Sequence, residues 1–153
     1  MEARLDYGKL APDAMRALYS LGAYLAKCGL EHPLLELVKI RASQINGCAY
    51  CIDMHTKDAR AAGETEQRIY ALSAWRETPF YSDRERAALV WTEAVTRIGD
   101  GVTDAQFAEV RAEFSEKELA DLTWAVAAIN AWNRVAISFR SVPGVYQPKS
   151  PSV

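Results

Sequence analysis

The stretch NGCAYCIDMHTKDARAAG, residues 46 to 63, holds the residue types that can do chemistry. Cys48 and Cys51 stand three positions apart, and His55 follows four after Cys51. Such spacings put the three side chains on one face of a helix, close enough for the sulfurs to form a disulfide within one turn. Asn46–Gly47 is a turn dipeptide and Cys48 to Ala62 is rich in helix formers, which sets Cys48 at or near a helix N-terminus. Free N–H groups and the positive end of the helix dipole stabilise anions there, so a thiol gives up its proton more readily. An imidazole one turn away can take that proton or hand one to a leaving group. The same residues also have zinc-like spacing, with Glu36 or His32 available as a fourth ligand. Two small buried hydrophobes are the plainest reading of a cysteine pair.

The elements that must position these residues read as helices nearly throughout. Ser82 with Glu85, Thr103 with Gln106, and Ser115 with Glu118 are capping boxes, in which a hydroxyl and a carboxylate or amide satisfy free N–H groups at a helix start. Behind Ser82, the residues Ala87, Trp91, Ala94, Val95 and Ile98 recur at helical spacing. Leu18, Leu21, Leu25 and Cys28 make a similar stripe after Pro12–Asp13, and Gly29 stops it. Leu34 to Ile45 leads directly into the cysteines and carries Glu36, placed to orient His55. Arg41 lies within reach of Glu36 or a neighbouring carboxylate, and Ser43 suits a hydrogen bond near the helix end. His32 before Pro33 reads as a loop residue, Cys28 as a buried small hydrophobe. Trp75, Trp91, Trp124 and Trp132 read as core or interface. No run alternates with period two for long enough to make a strand, so the expected fold is all-α with six or seven helices. Residues 1–142 form one domain, and residues 143–153 are a proline-rich, frayed tail. ELVKIRASQINGCAYC and ELADLTWAVAAINAWN align without gaps, pairing Cys48 and Cys51 with Asn130 and Asn133; a duplicated helix pair or chance would account for this echo.

Composition bounds the function. At 153 residues, half hydrophobic and a quarter charged, the chain can bury a core without staples. A formal net charge of -2 gives nucleic acid no basic surface. The most apolar stretch, LTWAVAAINAWNRVAISF, is interrupted by Asn130, Asn133 and Arg134, which excludes a membrane span. The N-terminus lacks the pattern of a signal peptide, so a cytoplasmic protein is expected. Three cysteines, an odd number without a secretory signal, point away from a structural disulfide framework and toward redox or metal chemistry.

The string E-x4-R-x-S-x4-C-x2-C-x3-H, filled by Glu36, Arg41, Ser43, Cys48, Cys51 and His55, resembles the alkylhydroperoxidase D branch of the carboxymuconolactone decarboxylase family. RASQINGCAYCIDMHTKDARAAGETEQR, YALSAWRETPFYSDRERAALVWTEA and INAWNRVAISFR are similar to that group as well. The resemblance implies an all-helical fold assembling as trimers or hexamers, and a thiol peroxidase that uses no bound cofactor. By motif position Cys51 attacks the peroxide, Cys48 resolves the sulfenic acid as a disulfide, and His55 and Glu36 relay protons. The implied reductant is a thiol partner such as a dihydrolipoyl protein. Spacing agrees on the attacker, since His55 is one turn from Cys51 and two from Cys48, and it leaves Cys48 as the more accessible thiol near the helix end. In one respect the chain departs from the branch, which has a histidine where Tyr50 stands. A phenol titrating near 10 donates a hydrogen bond but is no base at neutral pH. Family decarboxylases lack the cysteine pair, so its presence favours redox chemistry over decarboxylation of a lactone or acid. A zinc-binding helical protein, or an oligomeric module that senses oxidants, would use the same residues.

Overall fold

The computed structural model describes residues 1–148. The chain runs through α1 (Tyr7–Leu10), α2 (Pro12–Leu25), α3 (His32–Asn46), α4 (Ala49–Ala61), α5 (Glu66–Ala71), α6 (Asp83–Thr96), α7 (Asp104–Glu113) and α8 (Glu116–Phe139). Short 3-10 segments occupy Leu72–Glu77 and Ile98–Asp100, and there is no strand among the described residues. The helix count exceeds the expected six or seven because α1 and α5 are only four and six residues long, too short to show a period. All three capping boxes form, each with the hydroxyl bonded to the third helical N–H and the third side chain bonded back.

One bend builds the site. α3 ends at Gly47, whose φ of 70° is left-handed and would strain any residue with a Cβ. The amide of Cys48 then donates to the carbonyl of Ser43 at 2.9 Å, and α4 starts back along α3. α3 is the central element, packing against α4, α6 and α8. It buries Leu34, Leu35, Leu37, Val38, Ile40 and Ala42, each apolar side chain contributing about 1–3 kcal/mol. A helix enclosed this way should be apolar all round. Glu36 and Ser43 break that rule while buried, and both face the site described below.

α8 has two apolar faces, as its sequence implies. Leu119, Leu122, Val126 and Ile129 are buried, whereas Trp124 and Ile137 remain on the open side. The internal echo is not matched by a second helix pair, because α8 runs unbroken through Ile129, the counterpart of Gly47. His32 belongs to α3 as its first residue, not to the preceding loop. The first part of the tail is anchored rather than frayed, as far as Tyr146: the Gly144 amide donates to Asp53 at 2.9 Å, and Lys57 donates to the Tyr146 carbonyl at 3.1 Å. Its end, residues 149–153, lies outside the described residues. No helix among the described residues is long and apolar enough to cross a membrane.

Candidate active site

Antiparallel packing of α3 and α4 brings Glu36 against His55, and the Nδ1–Oε2 distance is 2.9 Å. Burial of the Glu36 carboxyl favours its neutral form, but bonds from His55 and from Lys39, at 2.7 Å, outweigh it and hold the carboxyl at about 2. An ionised carboxylate only accepts, so Nδ1 carries the proton and donates. Nε2 is left with no hydrogen-bond partner among the described residues, and His55 lines an apolar cavity. A carboxylate that fixes the tautomer of an imidazole facing a cavity sets up a proton-transfer group.

Cys48 is the N-cap of α4 and Cys51 lies one turn in, both as free thiols. The Cys51 thiol bonds to Cys48, the amides of Cys51 and Tyr50 point at it, and the Asn133 side chain donates as well; against the cost of burial these pull Cys48 down to about 6. Cys51 moves the other way, since it holds its proton toward the Cys48 thiolate in a buried setting. One negative charge is thus shared by two sulfurs at a helix N-terminus. Cys48 is not the more accessible thiol: both are about 1% exposed, and only Cys51 lines the cavity. The start of α4 is not an end of the molecule, because Ala42 of α3 and Ile129 and Ala136 of α8 close over it.

The cavity measures about 300 Å³ and lies between α2, α3, α4 and α8. Leu18, Leu25, Met54, Ile129 and Trp132 are part of its apolar wall, with Tyr7, Tyr19 and Tyr50 adding phenols, and Lys39 is its one lining residue with a permanent charge. Trp132, expected in core or interface, packs tilted against Tyr19, ring centroids 5.2 Å apart, and forms part of this wall. Tyr50 keeps its proton, burial pushing the phenol up, so it faces the cavity as a donor.

Of the residues singled out by sequence, Glu36, Cys48, Cys51 and His55 converge. Arg41 does not join them; it pairs with Glu93 at 2.7 Å, which also accepts from Trp75 at 2.9 Å. Ser43 accepts from Asn133 at 3.0 Å. Cys28 is half-buried against the core, remote in role from the pair. His32 reaches Glu36 with Nε2 at 3.6 Å. The zinc arrangement on Cys48, Cys51 and His55 is not assembled. Among the described residues the one group of three possible ligand side chains with donor atoms within 4.8 Å of one another is Glu36, His55 and Asp58. Its members are already bonded, Glu36 to His55 and Lys39, and Asp58 to Tyr146.

Sequence reading missed Lys39, Asn133, Asp58 and Tyr146. Asn133 is fully buried and also accepts from Asn46 at 2.8 Å. Its one visible signal was a polar residue in the most apolar stretch of the chain, a cost that buried structure must offset with hydrogen bonds.

A family model described as Carboxymuconolactone decarboxylase family matches residues 12–94. The uncharacterized protein YdfG of Bacillus subtilis is 45% identical over 139 residues, which cover 90% of this chain and 95% of that one. Among solved structures, a protein of unknown function from Agrobacterium tumefaciens, suggested to be the antioxidant defence protein AhpD, is 46% identical. It superposes with a TM-score of 0.91 over 95% of this chain and 100% of that one. A debrominase, Bmp8, solved with 2,3,4-tribromopyrrole, shares the fold at 20% identity, with a TM-score of 0.81 over 90% of this chain and 74% of its own.

Proposed function

This chain belongs to the carboxymuconolactone decarboxylase family, and from that premise we propose that it is a thiol-dependent peroxidase acting through Cys51 and Cys48. The observation that carries the reading is one apolar cavity walled by a redox-capable thiol, Cys51, and an imidazole whose tautomer is fixed by the buried Glu36. The cavity suits organic peroxides better than a purely polar substrate.

The reaction starts from the shared thiolate. Proton transfer from the Cys51 thiol to Cys48 makes Cys51 the nucleophile, and its sulfur attacks the terminal oxygen of ROOH. The O–O bond breaks, Cys51 becomes a sulfenic acid, and the alkoxide leaves as ROH by taking the proton from Cys48. The Cys48 thiolate then attacks the Cys51 sulfur, and the S–O bond breaks as the disulfide forms. The departing hydroxide becomes water with one proton drawn from solvent through Nε2 of His55. The electrons come back from an external dithiol of the dihydrolipoyl class in a reducing cytoplasm. Asn133, by stabilising negative charge on either sulfur, keeps the pair ready at both stages. The exposed Trp124 and Ile137 on α8 support assembly as a trimer or hexamer.

The test traps the intermediate. Cys48→Ser should leave a dimedone-reactive sulfenic acid on Cys51 after one equivalent of peroxide, while Cys51→Ser should not react. His55→Ala should slow the reaction on the order of 10²–10⁴-fold, the worth of a proton-transfer group. A Cys51→Ser protein that still consumes peroxide at the full rate defeats the assignment.

A further inference from the structure

His55 Nδ1 has two carboxylates within reach, though a single N–H can serve only one of them. Glu36 Oε2 holds it at 2.9 Å, and Asp58 Oδ2 stands 4.0 Å away. Asp58 is itself occupied: the phenol of Tyr146, from the tail, donates to Oδ1 at 2.7 Å. The tail reaches this position by a built path. The Gly144 amide donates to Asp53, the φ of 100° at Gly144 admits only glycine without strain, and Lys57 grips the carbonyls of Gly144 and Tyr146. Asp53 and Lys57, one turn apart on α4, bond to each other at 3.0 Å and so present a ready clamp.

We infer that Asp58 and Tyr146 form a positioning pair for His55, in which the tail's phenol holds the Asp58 carboxylate off the imidazole and leaves Glu36 as its acceptor. The inference rests on the peroxidase reading for its purpose, since a ring turned from Glu36 to Asp58 would change where Nε2 meets the cavity that Cys51 also lines. Both partners act through His55; neither lines that cavity. The phenol also shares the negative charge of Asp58, which weakens its pull on a protonated ring. Burial and the bond to Asp58 push Tyr146 up to about 12, so the phenol stays a donor throughout the working range.

The groups that face His55 are few. Glu36, with Lys39 and His32 bonded or close to it, comes from α3; Asp58, Cys51 and Tyr50 come from α4; Tyr146 comes from the tail. The walls from α1, α2 and α8 add the phenols of Tyr7 and Tyr19 but no charge. Removing the phenol's hydroxyl leaves the Asp58 carboxylate unshared beside the ring, which favours the imidazolium.

The experiment follows the ring nitrogens by NMR across pH, without peroxide, so its outcome is independent of turnover. The chain has two histidines, told apart by His32→Gln. Tyr146→Phe should move the His55 titration up by about half a unit, and Asp58→Asn should move it down by about one. Lys57→Ala, which loosens the clamp and keeps the phenol, should act in the same direction as Tyr146→Phe. In an Asp58→Asn background Tyr146→Phe should add no shift, because the coupling runs through Asp58. The acid limb of the peroxide rate profile should shift with the ring. No movement of the His55 signals in Tyr146→Phe, or an equal movement with and without Asp58, overturns the inference. Ring signals that move as expected in a protein that never consumes peroxide would instead leave the positioning pair standing and remove its proposed purpose.

Discussion

Glu36→Gln isolates the charge at the centre of the site. Glutamine keeps the shape of a protonated glutamic acid and removes only its ability to ionise. In the folded protein the Glu36 carboxyl sits at about 2 against an ordinary 4.5, because the bonds from His55 and Lys39 outweigh the cost of its burial. A carboxyl depressed by folding stabilises the fold above its unfolded pKa, and that contribution disappears as the pH falls through the folded value. The difference of some 2.5 units amounts to about 3 kcal/mol, little screened at a side chain that is 3% exposed. Wild type should therefore exceed Glu36→Gln by about 3 kcal/mol at pH 7, and the gap should close between about pH 4.5 and pH 2. Glu93 and Glu118 are also held below the usual carboxylate range, but they titrate in both proteins and cancel in the difference. Urea unfolding of the two proteins at pH 7, 5, 4 and 3 measures the gap, provided the slopes agree. A gap that stays constant across this range, or is under about 1 kcal/mol at pH 7, refutes an ionised Glu36 bonded to His55 and Lys39.

Thiolate absorbance near 240 nm should rise with a midpoint of about 6 in the reduced protein, and the transition should be lost from that range in Cys48→Ser. The same depression means the Cys48 thiolate favours the fold above the unfolded thiol pKa, and that help is lost as pH falls through about 6. Mild oxidation should join Cys48 to Cys51 and leave Cys28 free, as peptide mass mapping of the oxidised protein would show. Glu93→Ala should cost about 3–5 kcal/mol by thermal or urea unfolding, because it strands Arg41 and the Trp75 N–H without their acceptor. Sedimentation should show a trimer or hexamer that Trp124→Glu weakens; a wild-type monomer at micromolar concentration would contradict the assembly.

Local features were legible in the chain and distant ones were not. The capping boxes, the Asn46–Gly47 turn and the helical register of Cys51 with His55 depend on residues within about one turn, where sequence spacing fixes geometry, whereas α2 ends at Leu25, before the Gly29 at which its stripe was expected to stop. Glu36 meets His55 across nineteen positions; a core-facing helix leading into the cysteines made it a candidate, and the family resemblance then tied the two together. Asp58, three residues after His55 on the same helix, was within reach of a spacing rule and was overlooked. Asn133 and Tyr146 come to the site from α8 and the tail, which no spacing rule links to α4. The misplaced accessibility of Cys48 has the same origin. A helix N-terminus is easily taken for an exposed place, but here the bend at Gly47 tucks that end between α3 and α8.

The burial of Cys48 separates two demands that a single thiol could not meet. A nucleophile must touch the substrate, and it must also be a thiolate; in an apolar cavity the second requirement is opposed by desolvation. At this site the charge rests on Cys48, where the Cys51 thiol, amides of the α4 N-terminus and the Asn133 side chain stabilise it, while Cys51 is the thiol that lines the cavity. In the proposed reaction a proton moving between the neighbouring sulfurs transfers that charge to the cavity when substrate arrives. On the same proposal Cys48 is also the nucleophile that meets the sulfenic acid, so the reservoir of charge and the resolving group would be one residue. Tyr50 fits this division of labour. In the proposed reaction Cys48 supplies the thiolate and His55 with Glu36 the proton relay, and Tyr50, a phenol that keeps its proton, stands beside Cys51 as a donor.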